Sequence, residues 1–106
     1  MGIDEQTIQE IVRRILSVAK PDRIILFGSA ATGQMTSDSD IALLIVEADT
    51  GNQQDEYVHI MKALWGIQHP VDIHFITTEW FEQSKNVTGG IAYPANKYGR
   101  VVYDAA

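Results

Sequence analysis

The sequence predicts an α/β (α+β) fold, with a small mixed β-sheet of about three strands flanked by helices. Three short apolar runs, at Ile24–Phe27, Asp40–Val46 and Val71–Ile76, have the length and composition of buried strands. Segments with apolar residues at helical spacing lie before and between these runs. The connection between the first two runs is too short for a comfortable parallel crossover, so a mixed sheet is expected rather than an all-parallel one.

The first helix is predicted from about Glu5 to Ala19, because its apolar residues fall on one helical face. Asp4 is the expected N-cap, and Ile3 and Ile8 have the spacing of a hydrophobic staple around it. Pro21 then ends the helix.

A second helix is predicted before the third strand, because apolar residues again recur at helical spacing. These residues are Tyr57, Ile60, Met61, Leu64 and Trp65. The same pattern places Trp65 in the core, and Gly66 ends the helix. Beyond the third strand, Thr77 or Thr78 is expected to cap a helix that carries Trp80 and Phe81.

The C-terminal part of the sequence gives weaker signals. The pattern leaves open whether Trp80 and Phe81 are core residues or part of a partner surface. Gly89, Gly90 and Pro94 give no clear element. Residues Val101–Tyr103 are expected to form a short extended tail.

Length and composition limit the classes of protein that fit. The 106 residues are expected to form one domain, residues 1–106, with an ordinary globular composition of 45% hydrophobic and 21% charged residues. A formal net charge of −6 argues against direct nucleic-acid binding and would suit a basic protein partner. The absence of cysteine excludes disulfides and thiolate chemistry. No secretion signal or membrane-spanning run is recognisable, so a cytoplasmic location is expected.

The segment from Phe27 to Val46 carries the main chemical signal. Gly28 and Ser29 follow a buried strand, where a glycine turn lets backbone N–H groups approach and hold a phosphate. Asp40 opens the second strand, and Asp72 lies within the third strand, on the same face as His74. If the two strands are neighbours, the two carboxylates lie close together and repel unless they share a cation. Magnesium, which binds one or two carboxylates together with nucleotide phosphates, is the natural choice.

Each feature also has a plainer interpretation. Asp40 would be a solvated residue at a strand start, and Asp72 would form a structural salt bridge with Lys62 or Arg23. A lone histidine such as His74 is more often structural than a ligand or a substrate contact.

The combined pattern resembles the minimal nucleotidyltransferases that act as antitoxin partners of HEPN toxins, within the DNA polymerase β-like superfamily. In that family Gly-Ser is followed after about ten residues by Asp-hydrophobic-Asp on one strand, with a third Asp on the next strand. Here the matching residues are Gly28, Ser29, Asp40 and Asp72, with Ala42 at the second Asp. The resemblance covers nearly the whole chain and includes the tail GRVVY.

The resemblance implies a function and a set of roles. A member of this family would transfer AMP from ATP to a tyrosine of a HEPN ribonuclease toxin and so neutralise it, in a hetero-oligomer. Asp40 and Asp72 would hold metal in a two-magnesium site, and Asp72 could also act as base. Gly28 and Ser29 would hold the β- and γ-phosphates.

The sequence departs from the family pattern at the second carboxylate. Ala42 has no oxygen to offer to a metal, so nucleotidyl transfer by this chain is expected to be impaired. Pairing Asp38 with Asp40 is an alternative register, but it leaves too short a gap after Ser29. Ala30 and Thr32 also replace arginines that many relatives carry.

Two origins of Ala42 stay open. It is either a natural loss or an engineered substitution, and the similarity of SDIALLIV to SDIDLLIV favours the second. A natural loss would suit a non-catalytic antitoxin that inhibits its toxin by contact alone. An antibiotic-modifying nucleotidyltransferase is less compatible with the length, because such enzymes usually need a second domain. A nucleic-acid polymerase is less compatible with the net charge.

Overall fold

A computed structural model describes residues 4–33, 40–48 and 51–105 of the chain. The proposed staple residue Ile3 and the alternative metal-site residue Asp38 lie outside these ranges. Within them, no helix is long and apolar enough to cross a membrane.

The described residues form one mixed sheet. Its strands are β1 (Arg23–Phe27), β2 (Ile41–Glu47), β3 (Val71–Thr77) and β4 (Arg100–Asp104). The strand order is β3-β2-β1-β4, with β1 antiparallel to both β2 and β4, and β2 parallel to β3. The predicted mixed sheet is therefore confirmed, and the expected C-terminal tail is a fourth, edge strand.

Helices cover both faces of this sheet. They are α1 (Glu5–Leu16), α2 (Ser29–Thr32), α3 (Gln53–Ala63), α4 (Thr78–Ser84) and α5 (Ala92–Tyr98). The predicted cap of α1 is confirmed, since the Asp4 side chain accepts a hydrogen bond from the Gln6 N–H. Of the two candidates for α4, Thr77 is the cap, and its side chain accepts from the Trp80 N–H.

The two sheet faces carry separate cores. On the α1–α3 face, the central buried residues are Ile11, Ile15, Leu43, Ile45 and Ile60. On the α4–α5 face, they are Ile25, Leu44, Val46, Ile76 and Phe81. Alternation along β2 explains the division, because odd-numbered residues face one core and even-numbered residues face the other.

Trp65 is not a core residue, and that prediction is wrong. Its relative exposure is 87%. Helix α3 ends at Ala63 and Leu64 is its C-cap, so the helical periodicity that would bury position 65 no longer applies there. The sequence pattern leaves open whether Trp80 and Phe81 on α4 are core residues or part of a partner surface. In the structure, Phe81 is buried and Trp80 is exposed.

Candidate functional site

The candidate site lies at one end of the α4–α5 face, where two parallel strands begin and β1 ends. Ala42 on β2 is the register partner of Phe27 on β1 and of Asp72 on β3. We call Phe27, Ala42, Asp72 and His74 the open end of this face. Leu44, Val46 and Ile76, which are packed with Phe81, form its covered end.

Gly28 turns the chain sharply at the end of β1. Its φ of 76° and ψ of −154° lie where side-chain-bearing residues are strained, so the turn requires glycine. A Cβ at this position would lie 3.8 Å from the Ala42 Cβ, so the turn passes directly beside position 42. Ser29 is the first residue of α2. The Ala31 and Thr32 N–H groups donate to the Gly28 carbonyl, and the amides of Ser29 and Ala30 lie outside this pair of bonds.

Asp72 and His74 form a hydrogen-bonded pair on the open end. The His74 Nε2 lies 2.8 Å from the Asp72 Oδ2, and the two side chains are 39% and 53% exposed. The histidine ring also meets the Phe27 ring edge-on, with centroids 5.7 Å apart. The imidazole is therefore held between β1 and β3, above β2, where Ala42 occupies little space.

The salt-bridge interpretation of Asp72 is not supported. Arg23 lies instead near Asp104 and Glu82, at 3.7 and 4.0 Å. Among the described residues, the ion-pair partner of Asp72 is His74 rather than Lys62 or Arg23, so the histidine has a structural contact and also touches the candidate site.

Asp40 is exposed and comes directly before β2. The Ile41 N–H donates to the Pro70 carbonyl at 2.8 Å, so the pairing of β2 with the approach to β3 begins beside Asp40. Continued alternation places position 40 on the same face as Ala42. The sheet thus brings Gly28, Ala42 and Asp72 together. Asp40 lies next to them, directly before the start of β2.

The carboxylates of the candidate site decide how well it fits the magnesium ions that the sequence pattern implies. In the part of the chain that the structure describes, no group of three or more His, Asp or Glu residues could hold a metal ion. Asp40 and Asp72 offer carboxylates, whereas Ala42 offers none. Two carboxylates fit a magnesium ion that arrives with nucleotide phosphates, because magnesium keeps several ligands from water and phosphate. A complete protein cage for two metals is not formed by these residues.

The glycine turn, the carboxylates and the mixed sheet are the features that the sequence pattern leads us to expect of a nucleotidyltransferase domain. The nucleotidyltransferase domain family matches residues 6–93, and the chain belongs to this family. Domains of this family generally use a nucleoside triphosphate and a divalent metal.

Solved structures share the fold at low sequence identity. One is a candidate nucleotidyltransferase from Sulfolobus solfataricus, with a TM-score of 0.59 and 18% identity over 99% of this chain and 93% of that chain. Another is a mutant of the toxin–antitoxin pair MntA-HpeT, with a TM-score of 0.60 and 17% identity over 96% of this chain and 74% of that chain. No curated protein sequence matches the chain.

Two features of the site were not found from the sequence. The Phe27–His74 ring contact spans two strands, and only the strand order brings these residues together. The Asp72–His74 pair did leave a signal, since residues two apart on a strand share a face. That spacing alone does not show that the side chains touch.

Proposed function

We propose that the chain is an antitoxin-type nucleotidyltransferase, which acts on a HEPN-type ribonuclease toxin and whose transfer activity is impaired at Ala42. An intact site would transfer AMP from ATP to a tyrosine hydroxyl of the toxin. The observation that carries the proposal is the position of Ala42, which is in register with Asp72 and beside the Gly28 turn. The residue that lacks a carboxylate thus stands at the centre of the site.

The residues suit an in-line displacement at the α-phosphate. The tyrosine oxygen forms a bond to the α-phosphorus, and the bond to pyrophosphate breaks on the opposite side. Asp72 takes the proton of the hydroxyl, and the Gly28–Ser29 turn holds the β- and γ-phosphates. Asp40 and Asp72 would bind magnesium, which neutralises phosphate charge and stabilises the leaving pyrophosphate.

The similar toxin–antitoxin structure supports a toxin as the partner. It is a mutant in which two aspartates, two positions apart, are replaced by glutamate. Asp40 and Ala42 have the same separation. Side chains two apart on a strand share a face, so an aspartate at position 42 would face the same ligands as Asp40.

The test is transfer of label from α-labelled ATP to a HEPN-type toxin, sought first in the neighbouring gene, with magnesium present. We expect Ala42→Asp to raise the transfer rate on the order of a thousandfold, because a missing metal ligand costs several kcal/mol of transition-state stabilisation. Ala42→Asn is the matched control, because asparagine has nearly the same size as aspartate but carries no charge. This variant should label the toxin poorly. Asp72→Asn placed in the Ala42→Asp chain should remove the gain.

A second function, inhibition by contact alone, is favoured by the absence of an oxygen at Ala42. Such an antitoxin would block the ribonuclease without ATP, whereas the catalytic form would need it. If neither this chain nor Ala42→Asp labels the toxin, the enzymatic proposal fails for that acceptor. Inhibition of the ribonuclease without ATP would then establish contact inhibition.

A further inference from the structure

One of the two oxygens of the Asp72 carboxylate is held by a neighbour on the same strand. Oδ2 lies 2.8 Å from the Nε2 atom of His74, two residues further along β3. An ionised carboxylate only accepts hydrogen bonds, so Nε2 carries the hydrogen and donates it. The contact uses Oδ2 alone, and Oδ1 is therefore the oxygen that the imidazole leaves to other ligands.

The imidazole is itself oriented from the neighbouring part of the sheet. The Phe27 ring meets the His74 ring edge-on, with the centroids 5.7 Å apart and the ring planes at 61°. This is an arrangement that aromatic pairs prefer. Phe27 ends β1 and packs against the core of the α4–α5 face, so the His74 ring rests on an anchored side chain. Contacts to β1 and within β3 together fix the direction of the Nε2 hydrogen.

An aspartate as exposed as Asp72 needs such a contact to keep one orientation. Its side chain is 53% exposed, and an unrestrained side chain loses rotamer freedom when it binds a ligand. A hydrogen bond made beforehand removes part of that cost. Neighbours that hydrogen-bond a metal-binding group typically contribute about 10–100-fold to metal affinity or activity. The Asp72–His74 bond has the form of such a contact.

We infer that His74 is a positioning residue for Asp72. The inference rests on the proposed function, in which Asp72 binds magnesium and takes the proton of the acceptor hydroxyl. The imidazole holds Oδ2 and leaves Oδ1 to the metal ion or to the hydroxyl proton. His74 keeps its own Nε2 hydrogen throughout and acts only through Asp72.

Two substitutions at His74 separate the hydrogen bond from the packing of the ring. His74→Phe keeps a ring against Phe27 but has no N–H to donate. His74→Gln lacks the ring but carries an amide N–H as many bonds from the backbone as Nε2. If the hydrogen bond positions Asp72, glutamine should restore what phenylalanine loses. If the ring only packs, phenylalanine should be the better replacement.

Metal binding is measured first, because it does not depend on AMP transfer. Mn²⁺ is added stepwise to the parent chain and to each variant with α,β-methylene-ATP, and free Mn²⁺ is followed by electron paramagnetic resonance. His74→Phe is expected to weaken Mn²⁺ binding about 10-fold, and His74→Gln should recover most of this loss. In the parent chain no carboxylate at position 42 competes for the imidazole N–H.

A matched control uses a histidine on another element. His59 is exposed on α3, so His59→Phe should bind Mn²⁺ as the parent does. Far-UV circular dichroism checks that all variants remain folded. If only Ala42→Asp binds Mn²⁺, the same comparison is made in that background.

Transfer of AMP to the toxin is the second measurement, made in the Ala42→Asp chain. There His74→Phe should lower kcat about 10–100-fold and leave the KM for toxin unchanged, because His74 acts through Asp72. His74→Gln should again recover most of the loss. A raised KM for toxin with unchanged kcat would overturn the inference, since His74 would then contact the acceptor.

The Mn²⁺ data decide between positioning, packing and competition. Equal Mn²⁺ affinities of the parent and His74→Phe would overturn the inference, and a loss confined to His74→Gln would assign the histidine to packing. Tighter binding by His74→Phe would also overturn it, because the imidazole would then compete with the metal for Asp72.

Failure of the proposed function gives a different result from failure of this inference. If Ala42→Asp transfers no AMP while His74→Phe still weakens Mn²⁺ binding, the proposed transfer fails and the positioning role of His74 stands. If neither the parent nor Ala42→Asp binds Mn²⁺, both proposals are wrong.

Discussion

The two ends of the α4–α5 face differ although the same strands form them. At the covered end, Leu44 and Val46 on β2 are fully buried beneath Phe81. At the open end, Ala42 on the same strand is only half-buried and meets the exposed pair of Asp72 and His74. The difference teaches that one strand can serve the core over part of its length and a site over the rest. The change occurs where α4 and α5 stop covering the sheet.

If the covered end supplies stability, removing its central side chain has the largest effect. Phe81→Ala is expected to lower the free energy of unfolding by about 3–5 kcal/mol, because it leaves a cavity beneath α4. Urea denaturation measures the loss. Trp80→Ala, the exposed neighbour, should change the free energy by no more than about 0.5 kcal/mol. Equal losses at the two positions would contradict the assignment of Phe81 to the core of the covered end.

Gly99 tests how tightly the chain is packed between α5 and β4. A Cβ there would clash with the Ala95 carbonyl oxygen and would lie 2.9 Å from the Leu26 carbonyl oxygen. Gly99→Ala is expected to lower the free energy of unfolding by about 1–3 kcal/mol through overpacking. In Gly90→Ala the new methyl group would meet no atom within 4 Å, so this control should be nearly neutral. A neutral result for Gly99→Ala would show that α5 can shift without loss.

At the open end, the Phe27–His74 contact should contribute little to stability. A double-mutant cycle with Phe27→Leu and His74→Ala is expected to give a coupling near the lower limit of about 0.5–1.5 kcal/mol for ring pairs. The low value follows from the partial exposure of His74. The matched cycle of Phe27→Leu with His59→Ala, on the other side of the sheet, should give no coupling. A coupling well above this range would mean that the open end is also part of the core.

The smallest effect on stability is expected at Glu10 on α1, which belongs to neither end of the α4–α5 face. Hydrogen bonds from Arg13 and then Arg14 lower the pKa of this carboxyl from 4.5 to about 2. The lowered pKa means that Glu10 contributes to stability above about pH 4.5 and loses this contribution as the pH falls towards about 2. Urea midpoints of the parent chain and Glu10→Gln should therefore differ at pH 7 and converge near pH 2. A difference that is independent of pH would contradict the assignment.

Much of the fold follows from local patterns. The buried strands were predicted to within one residue at their ends, because runs such as Ile41–Val46 are continuously apolar. Helix α5 was missed because Pro94 argues against a helix. Pro94 is the third residue of α5, where the first turn lacks internal N–H partners and proline is tolerated. β4 was seen only as a tail, since pairing with β1 is a long-range contact.

The sequence indicates which residues to choose for the candidate site, but it does not predict how they are arranged. Gly28, Asp40 and Asp72 could be chosen from their places at the ends and openings of strands. The position of Ala42 between Gly28 and Asp72 depends on strand order and register, which no local pattern fixes. Trp65 was misplaced because helical spacing was continued one residue beyond the C-cap.

Strand β3 is an edge of the sheet, and this has a consequence for self-association. An uncovered edge offers unpaired backbone groups to any other strand, including that of a second copy. Charged side chains on an edge strand oppose such pairing, and β3 carries the exposed carboxylate of Asp72 near its start. Asp72, the residue that we propose for chemistry, is therefore also expected to oppose pairing of β3 with a strand of a second copy.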